Sequence, residues 1–346
     1  SDPAEALDED EAMRSTYGGG AGFAATDYRE GPAVRLQAER PGLIPKLGSD
    51  RLIYYVSPQG AKQNAGDAPG DALPSIQAVN NRLQNAYGED LKGLGRDVEV
   101  RVLPGRYRKQ QVNWTVYNPK LKIKITGWSA TPGDNKPAFI GCMATRDSDP
   151  ACAIKTWFNF RRKPRAPNNK TNIYLVNMKV TKYHRAVSMD VYVQGKKIDY
   201  AVYQAGNIIH RMFFYNIGTL FNKNTQPTAF SKGYPPWSPA IIAWQGVRSS
   251  VVRGNRFENC KNRWKRGTSF FHLIYLSNRA SRNRVVHNTI KNVYADFHTR
   301  DRSDGNVFAH NRIVNSFYYA LVTDWNRTSV GEADSCGSII GDNVWK

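Results

Sequence analysis

The sequence predicts an all-β solenoid, in which short strands stack as successive rungs around one continuous core. A motif of Asn, a large apolar residue and a second Asn occurs three times in the C-terminal half, at spacings of 33 and then 23 residues. The copies are Asn255–Asn259, Asn288–Asn292 and Asn311–Asn315, and valine-rich pairs such as Val251-Val252 precede them. Self-similarity at this period indicates a solenoid, because each repeat buries its apolar face only against its neighbours. Function is then expected along one exposed face of the stack.

The N-terminal half contains the signals expected at the start of such a stack. Residues 1–48 are rich in Gly, Ala and charge, which predicts an extended or partly ordered acidic leader before a solenoid over 49–346. Leu52–Val56 is a β-type run, and Ser75 is placed to cap a short helix. The strictly alternating run Asp97–Val102 predicts the next strand, which ends before Pro-Gly.

This order of elements, followed by Asn-rich rungs, resembles the pectate-lyase-like superfamily. The resemblance covers the chain from Leu52 onward and implies a single-stranded right-handed parallel β-helix with an N-terminal capping helix and long loops. Lyases, epimerases, hydrolases and tailspikes share this scaffold, so the fold alone does not decide the activity. We expect the recurring asparagines to occupy inward turn positions and to bond the rungs above and below. Asn259, Asn292 and Asn315 are then scaffold rather than catalytic residues.

The charge of the chain favours a polyanionic partner. The formal net charge is +20, even though six acidic residues fall within the first twelve. Thirteen Lys or Arg and only three acids lie between Arg248 and Arg302. A field of this sign attracts polyanions. We expect an acidic polysaccharide rather than nucleic acid, for which no module is recognisable, no membrane span, and a monomer.

The four cysteines favour an oxidising compartment. Cys142 and Cys152 flank a polar, Pro-containing segment, which is compatible with a local disulfide, and Cys260 with Cys336 would form a second. Four cysteines allow three connectivities, so the pairing stays open. We expect a secreted or periplasmic protein with no required cofactor. A calcium site would need clustered carboxylates, and the basic rungs supply few.

Alignment of the last two rungs through Asn288 and Asn311 places Tyr275 level with His298, Ser277 with Arg300, and Leu273 with Asp296. Side chains alternate along a strand, so one set points outward while the other forms core. The outward set, expected on the surface, is Tyr275, Ser277, Asp296, His298 and Arg300. The inward set is Ile274, Leu276, Phe297 and Thr299.

The outward set suits chemistry on a uronate sugar. In β-elimination a base removes the proton beside the carboxylate, a cation neutralises that carboxylate, and an acid protonates the departing oxygen. Arg300 would neutralise, while His298 and Tyr275 would divide base and acid. Further catalytic candidates are His272, which needs a bend in its strand to reach the groove, and Lys223 on an upstream rung. The substrate-binding candidates are Arg302, Lys265, Arg266, Asp296, Trp244, Tyr234 and Trp237.

A second resemblance concerns this rung. The run His298-Thr-Arg-Asp-Arg-Ser303, followed by an apolar pair, Ala309 and Asn311, is similar to the Asp-Pro-His-Asp-Arg-Ser segment of mannuronan C5-epimerases. His298 takes the place of the family's Asp and Arg300 that of its His, so the epimerase signature is not intact. Epimerases and lyases share the proton abstraction, and a changed triad on the same rung fits a lyase at least as well as an epimerase.

The sequence therefore predicts a polysaccharide lyase that cleaves a uronate-containing polysaccharide by β-elimination in a basic groove. Alginate is the favoured substrate, followed by pectate or an acidic exopolysaccharide. The alternatives are a mannuronan-type C5-epimerase, a glycoside hydrolase, and a non-catalytic polyanion-binding or tailspike-like protein. Inverting hydrolysis needs two carboxylic acids, and this rung offers only Asp296.

Overall fold

The computed structural model describes residues 44–129, 136–141, 156–162, 169–191, 203–218, 240–261, 271–293, 296–316, 322–324 and 333–345. The chain divides into two units, one of residues 1–46 with 228–235 and one of residues 47–227 with 236–346. The first unit falls almost entirely outside the described residues. All of the architecture below belongs to the second unit.

The secondary structure of the described residues is one α-helix, one short 3-10 helix and many short strands. The helices are a 3-10 turn at Pro69–Asp71 and α1 (Ile76–Tyr87). The strands are β1 (Leu52–Val56), β2 (Val98–Val102), β3 (Arg106–Arg108), β4 (Val112–Trp114), β5 (Ile123–Gly127), β6 (Ala138–Ile140), β7 (Thr156–Arg162), β8 (Asn169–Lys170), β9 (Ile173–Val176), β10 (Lys179–Thr181), β11 (Arg185–Val191), β12 (Gln204–Ala205), β13 (Ile208–His210), β14 (Phe213–Tyr215), β15 (Ala240–Gln245), β16 (Val247–Arg248), β17 (Val251–Arg253), β18 (Arg256–Glu258), β19 (His272–Ser277), β20 (Arg284–Val286), β21 (Thr289–Lys291), β22 (Asp296–Thr299), β23 (Val307–Ala309), β24 (Arg312–Val314), β25 (Val322–Asp324), β26 (Ile339–Gly341) and β27 (Val344–Trp345). The predicted strands at Leu52–Val56 and within Asp97–Val102 are confirmed.

The strands form four sheets that the chain visits in turn. Sheet one has the order β1-β2-β5-β9-β13-β17-β20-β23-β26, sheet two β3-β6-β10-β14-β18-β21-β24-β27, sheet three β4-β7-β11-β15-β19-β22-β25, and the small sheet four β8-β12-β16. Every strand pairing among the described residues is parallel and joins consecutive coils of the chain. The predicted parallel β-helix is confirmed.

The core runs along the inside of the coil and closes at the N-terminal end with α1. Phe214 stacks on Phe257 of the next rung, with ring centroids 5.1 Å apart. The hydroxyl of Ser75 accepts a hydrogen bond from the backbone N–H of Ala78, so Ser75 caps α1 as predicted. The helix turns an apolar face that includes Ile76 toward the first rungs. Among the described residues, the structure has no helix that is long and apolar enough to span a membrane.

A ladder of four asparagines fixes the corner between sheets one and two. The members are Asn255, Asn288, Asn311 and Asn343. From one rung to the next, the side-chain Oδ1 accepts both the backbone N–H and the Nδ2 group of the preceding asparagine, at 2.9–3.0 Å. Each Nδ2 also donates to a backbone carbonyl of the rung before it. The first Asn of each motif copy is therefore an inward scaffold residue, as predicted.

The second Asn of each copy has a different position. Asn259, Asn292 and Asn315 leave sheet two with φ of 54°, 52° and 52°, in the left-handed region that Asn tolerates better than most residues. They lie at the protein surface or partly buried, so the inward position predicted for them is wrong. The predicted hydrogen bonding between rungs is confirmed for Asn259 and Asn292, because the Nδ2 of Asn292 donates to the Oδ1 of Asn259 at 3.1 Å.

The predicted disulfide between Cys260 and Cys336 is wrong, since both are free thiols. Cys260 is buried just after β18, on sheet two, whereas Cys336 is exposed just before β26, on sheet one. The two residues lie at different corners of the coil, which leaves no opportunity for a bond. Cys142 and Cys152 lie outside the described residues, and their pairing stays a prediction.

We predict that Asn288→Ala lowers the free energy of unfolding by at least about 2 kcal/mol, because it leaves the backbone N–H of Asn255 and the carbonyl of Val252 buried without partners. Chemical denaturation measures the change. Asn113→Ala, at an exposed position in β4, is the matched control and should change stability by less than about 0.5 kcal/mol. Equal effects of the two substitutions would contradict the ladder's role.

We also predict different reactivity for the two free thiols. Burial raises the pKa of the Cys260 thiol to about 12, so the reactive thiolate is scarce at about pH 8. Iodoacetamide should then label Cys336 and spare Cys260 in the native protein, and label both in denaturant. Peptide mass spectrometry reads the result. Labelling of native Cys260, or a peptide that links the two cysteines, would show the prediction to be wrong.

Candidate active site

Three aromatic side chains stack on adjacent strands of sheet three. Tyr275 in β19 pairs in register with His298 in β22, which confirms the predicted alignment, and their rings stack with centroids 5.0 Å apart. The ring of His272 stacks on His298 at 4.3 Å and lies 5.4 Å from that of Tyr275. Phe297, the neighbour of His298 in its strand, packs into the core, so His298 lies on the opposite face. We call these three residues the ring cluster.

An irregularity in β19 brings His272 into the ring cluster. The register shifts between His272 and Ile274, so that His272 rather than Leu273 lies opposite Asp296. Leu273 is the extra residue and packs in the core, as expected for a β-bulge that redirects the strand. The predicted pairing of Leu273 with Asp296 is wrong, and the bend that His272 requires is present.

The ring cluster is more enclosed than the alignment predicts. His298 is only 4% exposed, so the expectation that it lies on the surface is wrong for this residue. Stacking against two other rings covers the imidazole. The phenol of Tyr275 and the guanidinium of Arg300 stay partly accessible.

Arg300 contacts the ring cluster through the phenol. Its Nη1 donates a hydrogen bond of 3.0 Å to the hydroxyl oxygen of Tyr275. The hydroxyl of Ser303 donates to the backbone carbonyl of Arg300 at 2.6 Å and so fixes the turn that follows β22. A guanidinium at hydrogen-bond distance favours the phenolate form of a tyrosine over the neutral form.

Arg185, at the start of β11, interacts electrostatically with the same phenol. Burial lowers the pKa of its guanidinium, and the Asp190 carboxylate and Tyr275 partly oppose this effect. Its Nη1 donates a weak bond of 3.3 Å to the hydroxyl of Ser188, and its buried Nε finds no partner among the described residues. A buried guanidinium with an unused donor is prepared to bind an anion.

The strand between these two rungs carries a small side chain at the level of Tyr275. Ala243 of β15 pairs with Ser188 of β11 on one side and with Tyr275 of β19 on the other. Strands lie about 4.8 Å apart, so roughly 9.6 Å separates the outer two, with only a methyl group between them.

The sequence ranks Arg185, which follows Tyr183 and His184, below the other candidates, and it does not single out Asp190. Their rung begins with Asn177-Met178, where methionine replaces the ladder asparagine, so the motif is hidden. The apolar Val180 keeps the motif's spacing and was the signal that would have aligned this rung with the others.

The other predicted site residues differ in their outcome. Trp244 is fully buried in the core, because its side chain points inward from β15, and is no sugar-binding residue. Arg302 donates to the buried carboxylate of Asp301 at 2.8 Å, beside Arg300 in the chain. Asp296 lies in β22 opposite His272, and its side chain is outside the description. The remaining candidates lie outside the described residues: Lys223, Tyr234, Trp237, Lys265 and Arg266.

No group of three or more His, Cys, Asp or Glu side chains is placed to hold a metal ion within the part of the chain that the structure describes. Among the side chains that the structure describes, Arg300 bonds the Tyr275 phenol, and Arg185 interacts electrostatically with both Tyr275 and Asp190.

No protein-family model matches the chain, and no curated protein matches it. Among solved structures, similarity extends to a GH136 lacto-N-biosidase from Eubacterium ramulus (13% identity, 85% of this chain, 56% of that chain, TM-score 0.34) and a rhamnogalacturonan lyase (12%, 85%, 62%, 0.35). Pectate lyase Pel9A follows at 12% identity, 87% and 79% coverage, and a TM-score of 0.30. The chain spans less than two thirds of the length of the first two. At these values the likenesses carry no argument about activity, and none supports a resemblance to mannuronan epimerases.

The arrangement is suited to moving a proton next to an anionic group. The Tyr275 oxygen accepts a hydrogen bond from a cation, which stabilises negative charge on it. Arg300 supplies positive charge at the phenol through a hydrogen bond, and Arg185 supplies it through a longer-range electrostatic interaction.

We predict that a uronic acid binds this site and its neutral counterpart does not. Galacturonate at about ten times its Kd should stabilise the protein by about 1.4 kcal/mol in a thermal denaturation assay, whereas galactose should have no effect. Arg185→Gln should abolish the stabilisation. Arg108→Gln, at an exposed position in sheet two, should retain it. Equal stabilisation by both sugars, or by galacturonate in Arg185→Gln, would contradict a carboxylate site at Arg185.

Proposed function

We propose that the protein is a polysaccharide lyase that cleaves a uronate-containing polysaccharide by β-elimination at the ring cluster. The observation that carries the proposal is the hydrogen bond from Arg300 to the Tyr275 hydroxyl beside two stacked imidazoles. The basic balance of the chain supports an anionic substrate.

The first step is removal of the proton on the carbon beside the uronate carboxylate. The carboxylate binds between Arg185 and Arg300, whose positive charges stabilise the negative charge that develops as the proton leaves. The unused Nε donor of Arg185 and the fork of Arg300 suit the two oxygens of a carboxylate. Tyr275 accepts the proton in its phenolate form, which the hydrogen bond from Arg300 stabilises.

The second step is departure of the glycosidic oxygen. The electron pair left by the proton forms the new carbon–carbon double bond and expels that oxygen, which needs a proton as it leaves. An imidazole of the His272–His298 pair supplies this proton. The ring stack holds both imidazoles beside Tyr275, so acid and base act on one sugar unit.

Alginate is the substrate we favour, because of the similarity of the rung at His298 to mannuronan epimerases. Pectate and acidic exopolysaccharides follow. A secreted or periplasmic location suits such substrates. Because Cys260 and Cys336 are free thiols, the disulfide predicted between them no longer supports that location.

We predict that the protein raises the ultraviolet absorbance of at least one polyuronate, as an unsaturated uronate forms at the new chain end. A panel of alginate, pectate and acidic exopolysaccharides identifies the substrate. Tyr275→Phe keeps the ring stack and removes the hydroxyl, and it should reduce kcat by at least about 100-fold. Tyr87→Phe on α1 is the matched control and should be fully active.

Three outcomes would overturn the proposal. One is the absence of unsaturated product with every polymer, and another is full activity of Tyr275→Phe. Proton exchange at C5 without chain cleavage would identify an epimerase instead. Because His298 is enclosed, His298→Ala serves as a further variant only when circular dichroism shows an unchanged fold.

A further inference from the structure

The outer face of sheet two carries a second basic hollow, away from the ring cluster on sheet three. A cavity of about 500 Å³ lies over β18, β21 and β24. Its lining includes Arg256, His287, Thr289, Lys291 and Arg312. We call this hollow the sheet-two groove. Neither the motif pattern nor the proposed reaction assigns it a role.

The strand register makes the groove. Arg256, Thr289 and Arg312 pair in succession across the three strands. The two arginines are therefore two strand spacings apart, roughly 9.6 Å, with the short side chain of Thr289 between them. This spacing leaves room for a ligand to lie between two guanidinium groups.

Arg256 is held in place for binding. Its guanidinium lies over the ring of Phe213, 4.9 Å from the centroid, and its Nη2 bonds the carboxylate of Glu258. The ammonium of Lys291 lies 3.9 Å from the same carboxylate. One carboxylate thus positions two cations, and such preorganisation reduces the entropic cost of ligand binding.

Arg312 completes an excess of positive charge. It is exposed, and it forms no hydrogen bond or ion pair through its side chain with the described residues. Glu258 cannot balance Arg256, Lys291 and Arg312 together. The groove therefore keeps charge available for an anionic ligand.

The strand next to the groove, β14, adds aromatic side chains that are at least partly exposed. Phe213 and Tyr215 of β14 have ring centroids 5.8 Å apart, and Tyr215 is 36% exposed. Sugar rings present apolar faces to such side chains. Cations beside aromatic rings match a polymer whose sugar units carry carboxylates.

We propose that the sheet-two groove is a second binding site for an acidic polysaccharide, which retains the polymer while another segment reacts at the ring cluster. The identity of the polymer rests on the proposed function. The existence of the binding site is inferred from the positive charges of the groove, the spacing of its strands and the aromatic side chains of β14.

Affinity electrophoresis in gels that contain alginate or pectate tests the site. A Tyr275→Phe background keeps the polymer intact during the run. Addition of Arg256→Gln and Arg312→Gln should weaken retardation, with Kd rising roughly tenfold for each charge-assisted hydrogen bond to the polymer that is removed. The matched control is Lys62→Gln with Lys92→Gln, which removes two exposed positive charges elsewhere and should leave Kd unchanged.

A second readout separates this inference from the reaction. In an otherwise unchanged protein, the groove variant should raise KM for the polymer and leave kcat unchanged. Retardation equal to that of the control variant, or no retardation of the parent by any polymer, overturns the groove. The proposal is also overturned if the groove variant binds nucleic acid more weakly than the parent but binds every acidic polysaccharide equally well. Groove-dependent retardation without unsaturated product from the wild type leaves the groove standing and refutes the lyase.

Discussion

The constraint on which the rest of the structure depends is the parallel register between consecutive coils. The asparagine ladder from Asn255 to Asn343 fixes that register at one corner, because each amide bonds the same amide one rung away. A slip of one residue would turn every side chain to the other face. Both the ring cluster and the sheet-two groove consist of residues brought level by this register.

The ring cluster also depends on one departure from regularity. The extra residue Leu273 stays in the core and redirects His272 onto His298. Bulges often reorient side chains next to functional sites. A strictly regular β19 would give the cluster two rings instead of three, and the proton donor of the proposed reaction would have no imidazole neighbour.

The sequence allows the fold to be predicted because the repeat is regular where the ladder is intact. The same regularity places Tyr275 level with His298, since equal spacing from Asn288 and Asn311 survives folding. It cannot reveal the bulge, because one extra residue inside a strand does not alter the motif. The burial of Trp244 depends on which face of its strand the side chain occupies, and the separation of Cys260 from Cys336 depends on their positions around the coil. The spacing of the motif in the sequence determines neither. Arg185 ranks low in the sequence because Met178 interrupts the motif in its rung.

The asparagine ladder allows the coil to tolerate insertions between its rungs. Successive ladder asparagines are 33, 23 and 32 residues apart in the chain, yet they bond with nearly identical geometry. Ten residues can thus be added to or removed from the connections of a single rung while the corner stays unchanged. Loops around the sites can therefore be exchanged during evolution, or by design, without altering the height of any residue on the sheets. For the proposed lyase, substrate choice and catalytic geometry would then be separable, because different parts of the same coil would determine them.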